Sequence, residues 1–174
     1  MKRNLVFAGA AALMLLFACN KNDSQSNLSD NNPSNADAGF MQMAAYGNMD
    51  EVSLGNLAGS TSTGSIKEFG MMMATDHQRS EDELSSLARN KGVSLPGNPD
   101  QAHLDLKAQL EKLSGRAFDS TYIHAQVADH KNAVALYQAE INDGKDQDVK
   151  NFAVKYLPLI QQHLSKADSL AKGF

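Results

Sequence analysis

The stretch SIKEFGMMMATDHQRSEDELSSLARNKG, residues 65–92, decides the fold class. Ile66, Gly70, Met73, His77, Ser80, Leu84 and Leu87 recur at alternating steps of four and three, which places them on one face of an α-helix. The intervening positions carry most of the charge. Ser65 and Glu68 stand in the spacing of a capping box at the helix start. Gly92 follows Lys91 where a left-handed cap ends a helix. One member of the apolar stripe, His77, is ionisable.

The same grammar extends in both directions. A first long helix is expected from about Ala38 to Thr61 with Asp37 as its N-cap, its stripe being Phe40, Ala44, Gly47, Glu51, Leu54 and Ala58. A short helix is expected at Asn98-Pro99-Asp100, with Asn98 capping and Pro99 at the first position, ending before Gly115. A third long helix starts after Asp119 and carries Ile123, Val127, His130, Val134, Tyr137 and Ile141. A fourth starts after Asp146 and carries Val149, Phe152, Tyr156, Leu159, His163, Ala167 and Leu170. Strand-like alternation is missing. Four amphipathic helices with one short helix in the central connection read as an all-α four-helix bundle, with a looser all-α array as the alternative.

Each of the four stripes holds one ionisable residue near its middle: Glu51, His77, His130 and His163. An unpaired charge buried in a core costs several kcal/mol, so such groups pair, bind a metal or lose their charge. Three imidazoles and a carboxylate form a chemically plausible ligand set for one divalent metal ion. The bland reading of each is a hydrogen-bonded core residue, and a polar core network competes with the metal site. Asp76, Glu81 and Asp129 are candidates for supporting positions around the set. Glu51 and His77 both lie thirteen residues from Gly64 and are expected level across the first hairpin. His130 lies fourteen before Gly144 and His163 nineteen after, a mismatch of roughly 7 Å at 1.5 Å per residue. His163 is therefore the least secure member. Asp76-His77 and Asp129-His130 repeat one dipeptide, yet neighbours on a helix point about 100° apart, so neither Asp should orient its own His. Pro158, five residues before His163, deprives the carbonyl of Val154 of its usual donor, and a kink is expected there.

The amino terminus reads as an export signal. Lys2 and Arg3 precede a short apolar run, Leu5 to Phe17, that ends in Leu16-Phe17-Ala18-Cys19. Residues 1–18 are expected to be removed as a signal peptide. This end resembles a lipoprotein lipobox, so Cys19, the only cysteine, is expected to carry lipid. Residues 19–37 are expected to form the lipidated Cys and a flexible tether: ten of residues 20–36 are Asn or Ser. Residues 38–174 would form the bundle. Asn20 after the cysteine favours outer-membrane attachment, on the periplasmic side or at the cell surface. The net charge of −4 becomes −6 once Lys2 and Arg3 are removed, and without a basic cluster or Trp, nucleic-acid binding has little support.

Several segments together resemble the bacterial domain-of-unknown-function family 4142. They are Ala74-Thr75-Asp76-His77 with Glu83-Leu84, Leu95-Pro96, Gly115-Arg116-Ala117-Phe118-Asp119-Ser120-Thr121-Tyr122, Asp129-His130, and Leu157-Pro158-Leu159-Ile160-Gln161-Gln162-His163-Leu164. The resemblance covers roughly residues 38–172 and implies a ferritin-like helical bundle; it implies no established activity. Ferritin-like di-iron sites use Glu-x-x-His motifs, and the positions three before the histidines here are Ala74, Val127 and Ile160. Di-iron chemistry is disfavoured, leaving a mononuclear site of Glu51 and the core histidines. The dense methionines Met41, Met43, Met49 and Met71 to Met73 read as core filling rather than copper ligands. No nucleophile elbow or phosphate loop is present. The functional expectation is a lipid-anchored envelope module that binds or interacts, with a protein partner in the envelope, rather than an enzyme; the alternative is the mononuclear metal-binding protein.

Overall fold

The computed structural model describes residues 32–174, and Cys19 with the export signal lies outside them. Five helices occupy the described residues: α1 (Asn35–Thr61), α2 (Gly64–Lys91), α3 (Gln101–Leu110), α4 (Gly115–Asp143) and α5 (Gln147–Ala171). None of them is long and apolar enough to cross a membrane.

The caps correct several expected boundaries. Ser34, not Asp37, caps α1, and Asp37 is the third helical residue of a complete capping box with it. Asn35 to Asp37, assigned to the tether, are therefore helical. At α2 the expected box of Ser65 and Glu68 does not form: the helix begins one residue earlier, behind Thr63, which makes no side-chain cap bond. Gly92 ends α2 in the left-handed conformation as expected, at φ 66°. Asp100, not Asn98, caps α3, accepting from the His103 amide. The third long helix, α4, starts at Gly115, four residues before Asp119, because Gly115 takes a positive φ directly behind the Ser114 cap. Asp146 caps α5 as expected, and α5 continues unbroken through Pro158.

Contacts at the two ends set the direction of every helix. At one end, Asp37 Oδ1 accepts from the Lys145 amide at 2.7 Å, and Lys91 Nζ pairs with Asp146 at 2.8 Å and Asp148 at 2.7 Å. The start of α1, the end of α2 and the α4–α5 turn thus meet. At the other end, Ser62 donates to Asp119 and Arg116 donates to the Gly173 carbonyl. α1 packs antiparallel against both α2 and α4, and α5 antiparallel against α4 and α2. The segment containing α3 returns along the whole bundle, so α2 and α4 run parallel. This connectivity, with one long crossover, was open from the sequence because either direction satisfies the same apolar stripes.

Two apolar clusters fill the interior. One gathers Phe40, Met41, Leu84, Tyr137, Phe152 and Tyr156; the other gathers Leu54, Phe69, Met73, Phe118, Tyr122 and Ile123. Along every long helix a buried polar residue falls between them: Asn48 and Glu51 on α1, His77 on α2, Gln126 and His130 on α4, His163 on α5. The core is therefore two hydrophobic blocks separated by a polar layer. Met41 and Met73 fill these blocks, whereas Met43 and Met71 are exposed, so core filling explains only part of the methionine content.

Candidate metal centre

His77, His130 and His163 meet in that layer. Their ring centroids are 5.4 to 5.7 Å apart, and each ring offers one nitrogen lying within 4.8 Å of the other two. All three residues are buried.

The nitrogens divide into two sets. His77 Nδ1 is 3.1 Å from Asn48 Oδ1, His130 Nδ1 is 2.9 Å from the Gln126 carbonyl, and His163 Nε2 is 3.1 Å from Asp76 Oδ2. Each of these partners is an oxygen acceptor, so each of these nitrogens carries the ring proton. The remaining nitrogens, Nε2 of His77 and His130 and Nδ1 of His163, are buried without any hydrogen-bond partner. With the proton on the opposite side of each ring, each of the three converging rings keeps one unpaired nitrogen. Leaving a buried acceptor unsatisfied costs about 1–3 kcal/mol each.

Burial keeps these rings neutral. It lowers His77 well below its ordinary value, helped by the neighbouring His130 and His163, and brings His130 down to about 4. His163 is lowered by burial against the pull of Asp76. A neutral imidazole with one nitrogen protonated and fixed, the other bare, is the form that ligates a metal.

The placements revise the expected set. His163, the least secure member, is fully part of it. Side chains on a helix lean toward its N-terminus. On antiparallel α4 and α5 the leans of His130 and His163 point toward each other, closing the offset counted between their Cα positions. Glu51, expected as a ligand level with His77, stands instead beside His130, its Oε1 3.6 Å from Nδ1, on the side of the ring away from the bare nitrogen. It is not among the three residues whose ligand atoms converge. Three residues back, about 60° round the helix, Asn48 faces α2 and takes the contact with His77. Burial drives the Glu51 carboxyl up to about 8, with Asp129 and Asp50 pushing the same way.

The supporting residues also sort themselves. Asp76 orients His163 on α5, not its neighbour His77. Glu81 accepts from Asn48 Nδ2 at 3.2 Å, so it steadies the amide that holds His77. Asp129 turns away from its neighbour His130 and reaches His103 Nε2 at 3.5 Å. His103 Nδ1 lies 2.9 Å from both Asp50 and Asp100. Sequence reading missed Asn48, Gln126, Asp50, Asp100 and His103. The acceptor at Gln126 is its backbone carbonyl, which any residue one turn before His130 would supply, whereas Asp100 stands three before His103, and a scan for carboxylates one turn from each histidine would have found it.

A cavity of about 310 Å³ joins the two groups. Glu51, His77 and His130 line its buried part; Asp100, His103 and Asp129, with partly exposed side chains, line its outer part.

Residues 22–170 match a known family, described as a domain of unknown function, DUF4142. The chain belongs to this family. No curated protein matches it. Among solved structures, the crystal structure of a DUF305 fragment from Deinococcus radiodurans is similar, with a TM-score of 0.72 over 82% of this chain and 99% of that one, at 10% identity. At that identity the likeness concerns the fold alone. Membership in DUF4142 agrees with the resemblance of the quoted motifs, and three of those motifs contain the converging histidines.

Proposed function

We propose that this DUF4142 protein is a ferritin-like four-helix bundle that binds one divalent transition-metal ion through His77 Nε2, His130 Nε2 and His163 Nδ1. The observation that carries the reading is the set of three buried, partnerless ring nitrogens, each on a ring whose other nitrogen is held. A polar network would pair these nitrogens with donors, whereas three bare nitrogens on rings 5.4 to 5.7 Å apart call for a cation. Three neutral imidazoles suit zinc, copper, iron or nickel, and the order of stabilities among divalent ions places copper at the strong end. The set has no Glu-x-x-His pair and so does not support a di-iron centre. When bound, the ion would supply a Lewis-acid or redox centre. What the chain itself does is hold three rings neutral, oriented and shielded from water.

The setting is the cell envelope. The lipobox-like end at Cys19 supports a lipid anchor, and Asn20 supports the outer membrane, on either face. The converging rings move our reading from a partner-binding module to a metal-binding one; both share this anchor and tether, and neither requires turnover.

The full chain, purified in detergent, stripped with chelator and reloaded with Zn(II) or Cu(II), should retain about one ion per chain by elemental analysis. His77→Ala and His163→Ala should each abolish retention. A wild-type protein that holds well under one ion after loading ends this proposal.

A further inference from the structure

The cavity beside the three histidines has a chemistry that the bound ion alone does not require. Its outer part carries three carboxylates, Asp50 from α1, Asp100 from the α3 cap and Asp129 from α4, arranged around His103. Their ligand atoms converge: one oxygen each of Asp50 and Asp100 and a ring nitrogen of His103 lie within 4.8 Å of one another. Asp50 is 2% exposed, and its Oδ1 is buried with no hydrogen-bond partner. The same cavity is lined further in by Glu51, whose Oε2 is likewise partnerless, and by His77 and His130, two of the three converging rings. Polar side chains thus follow one another from the outer part of the cavity to His77 and His130, between walls that include Ala44, Tyr137 and Ile160.

We propose that Asp50, Asp100, Asp129 and His103 form a capture site for a divalent cation, and that the cavity leads the captured ion to His77 and His130, the two members of the three-histidine site that line it. The inference rests on the metal-binding reading above. Three carboxylates against one imidazolium leave the outer part net negative, and an acidic cleft with low-dielectric walls raises the local concentration of cations and their rate of entry. His103 is the resident counter-charge: both its ring nitrogens face carboxylates, Nδ1 at 2.9 Å from Asp50 and Asp100 and Nε2 at 3.5 Å from Asp129. An arriving dication takes up the same oxygens as the imidazolium gives one proton to solvent. The oxygen-rich outer site suits a transient stop and the nitrogen site a stable one, because imidazole binds borderline transition ions more tightly than carboxylates do.

The test is the rate of metal loading, followed by stopped flow as Zn(II) passes from a chromophoric chelator to the full-length protein in detergent. Asp50→Asn combined with Asp129→Asn should load about tenfold or more slowly, with the final stoichiometry and affinity unchanged. Asp100→Asn, at a partly exposed position, should slow loading by a smaller factor, and Glu68→Gln, an exposed acid on α2, should load at the wild-type rate. Wild-type loading should also slow as salt is raised. If the Asp variants load at the wild-type rate and retain the ion, the capture site is wrong while the three-histidine site stands. If the wild type retains no ion, both fall. Should the double variant not fold, Asp100→Asn and the salt series decide: wild-type speed in the one and no salt dependence in the other overturn the proposal.

Discussion

Asp76 Oδ2 lies 3.1 Å from Nε2 of His163, an aspartate on α2 fixing a histidine on α5 while its own sequence neighbour, His77, is fixed from α1. The repeated Asp-His dipeptide therefore does not encode two Asp-His pairs. Each aspartate supports a histidine on another helix, Asp76 at the three-ring centre and Asp129 at His103.

This crossing separates two otherwise similar substitutions. Asp76→Asn should weaken metal binding by about 10–100-fold, the usual cost of losing a supporting acceptor on a ligand histidine. Asp129→Asn should leave equilibrium affinity close to wild type. Competition titrations against a chelator of known affinity give both values, and equal losses in the two variants would contradict the assignment.

Asn48 acts on His77 in the same way, and Glu81 acts on Asn48. Asn48→Ala should cost about tenfold or more in affinity, and Glu81→Gln less, because its effect passes through the amide. Glu51→Gln should change affinity by no more than about tenfold, since Glu51 stands outside the converging set. A loss on Glu51→Gln as large as that of His77→Ala would restore Glu51 as a ligand.

The α1–α2 contact is tight enough to be probed with single methyl groups. A Cβ on Gly55 would sit 2.6 Å from the Gly70 carbonyl oxygen and 2.8 Å from the Ala74 nitrogen; one on Gly70 would sit 2.7 Å from the Ala58 Cβ and 2.8 Å from the Gly55 carbonyl oxygen. These neighbours are mainly backbone and cannot rotate away. Gly55→Ala and Gly70→Ala should each destabilise by about 1–3 kcal/mol in urea unfolding, despite the better helix propensity of Ala. Gly47→Ala, with open space around it, should be neutral or stabilising.

Asp37 and Glu140 make stability depend on pH in opposite senses. Burial and the adjacent Asp37 carboxylate push Glu140 up to about 7. A carboxyl raised from its ordinary 4.5 favours the folded state fully below that value and loses the contribution as pH rises through about 7. Glu140→Gln should therefore stabilise the protein above pH 7, by up to about 3 kcal/mol, and flatten its urea midpoint between pH 5 and 8. Burial opposes the charge on Asp37, but hydrogen bonds from Ser34 and from the Lys145 amide outweigh it and hold Asp37 at about 2. Its contribution is present above 3.8 and disappears as pH falls through about 2. Asp37→Asn should lose stability at neutral pH and gain nothing below pH 2.

The helices and their stripes were legible because periodicity is local. The stripe from Ile66 through Gly70, Met73, His77 and Ser80 to Leu84 is buried, as the steps of four and three required, but its last member, Leu87, is half-buried and Ala88 takes the buried place. Cap positions were less legible: several residues near each helix start can cap, and at α2 and α4 a glycine with positive φ selects the start. In α5 the buried face includes Ile160 in place of Leu159, because the face is wider than a single seam.

The sequence by itself determined the all-α class, the four long helices and the placement of His77, His130 and His163 on buried helix faces, since all three follow from the spacing of side chains along a helix. It could not determine which ring nitrogen would be held, which acceptor would hold it, or that Glu51 would stand beside His130 rather than opposite His77. Those outcomes depend on how neighbouring helices are rotated and directed, which the α3 crossover and the leans of antiparallel side chains decide. Hydrogen-bond partners such as Asp76 and His163, 87 residues apart, exist only after the helices have packed.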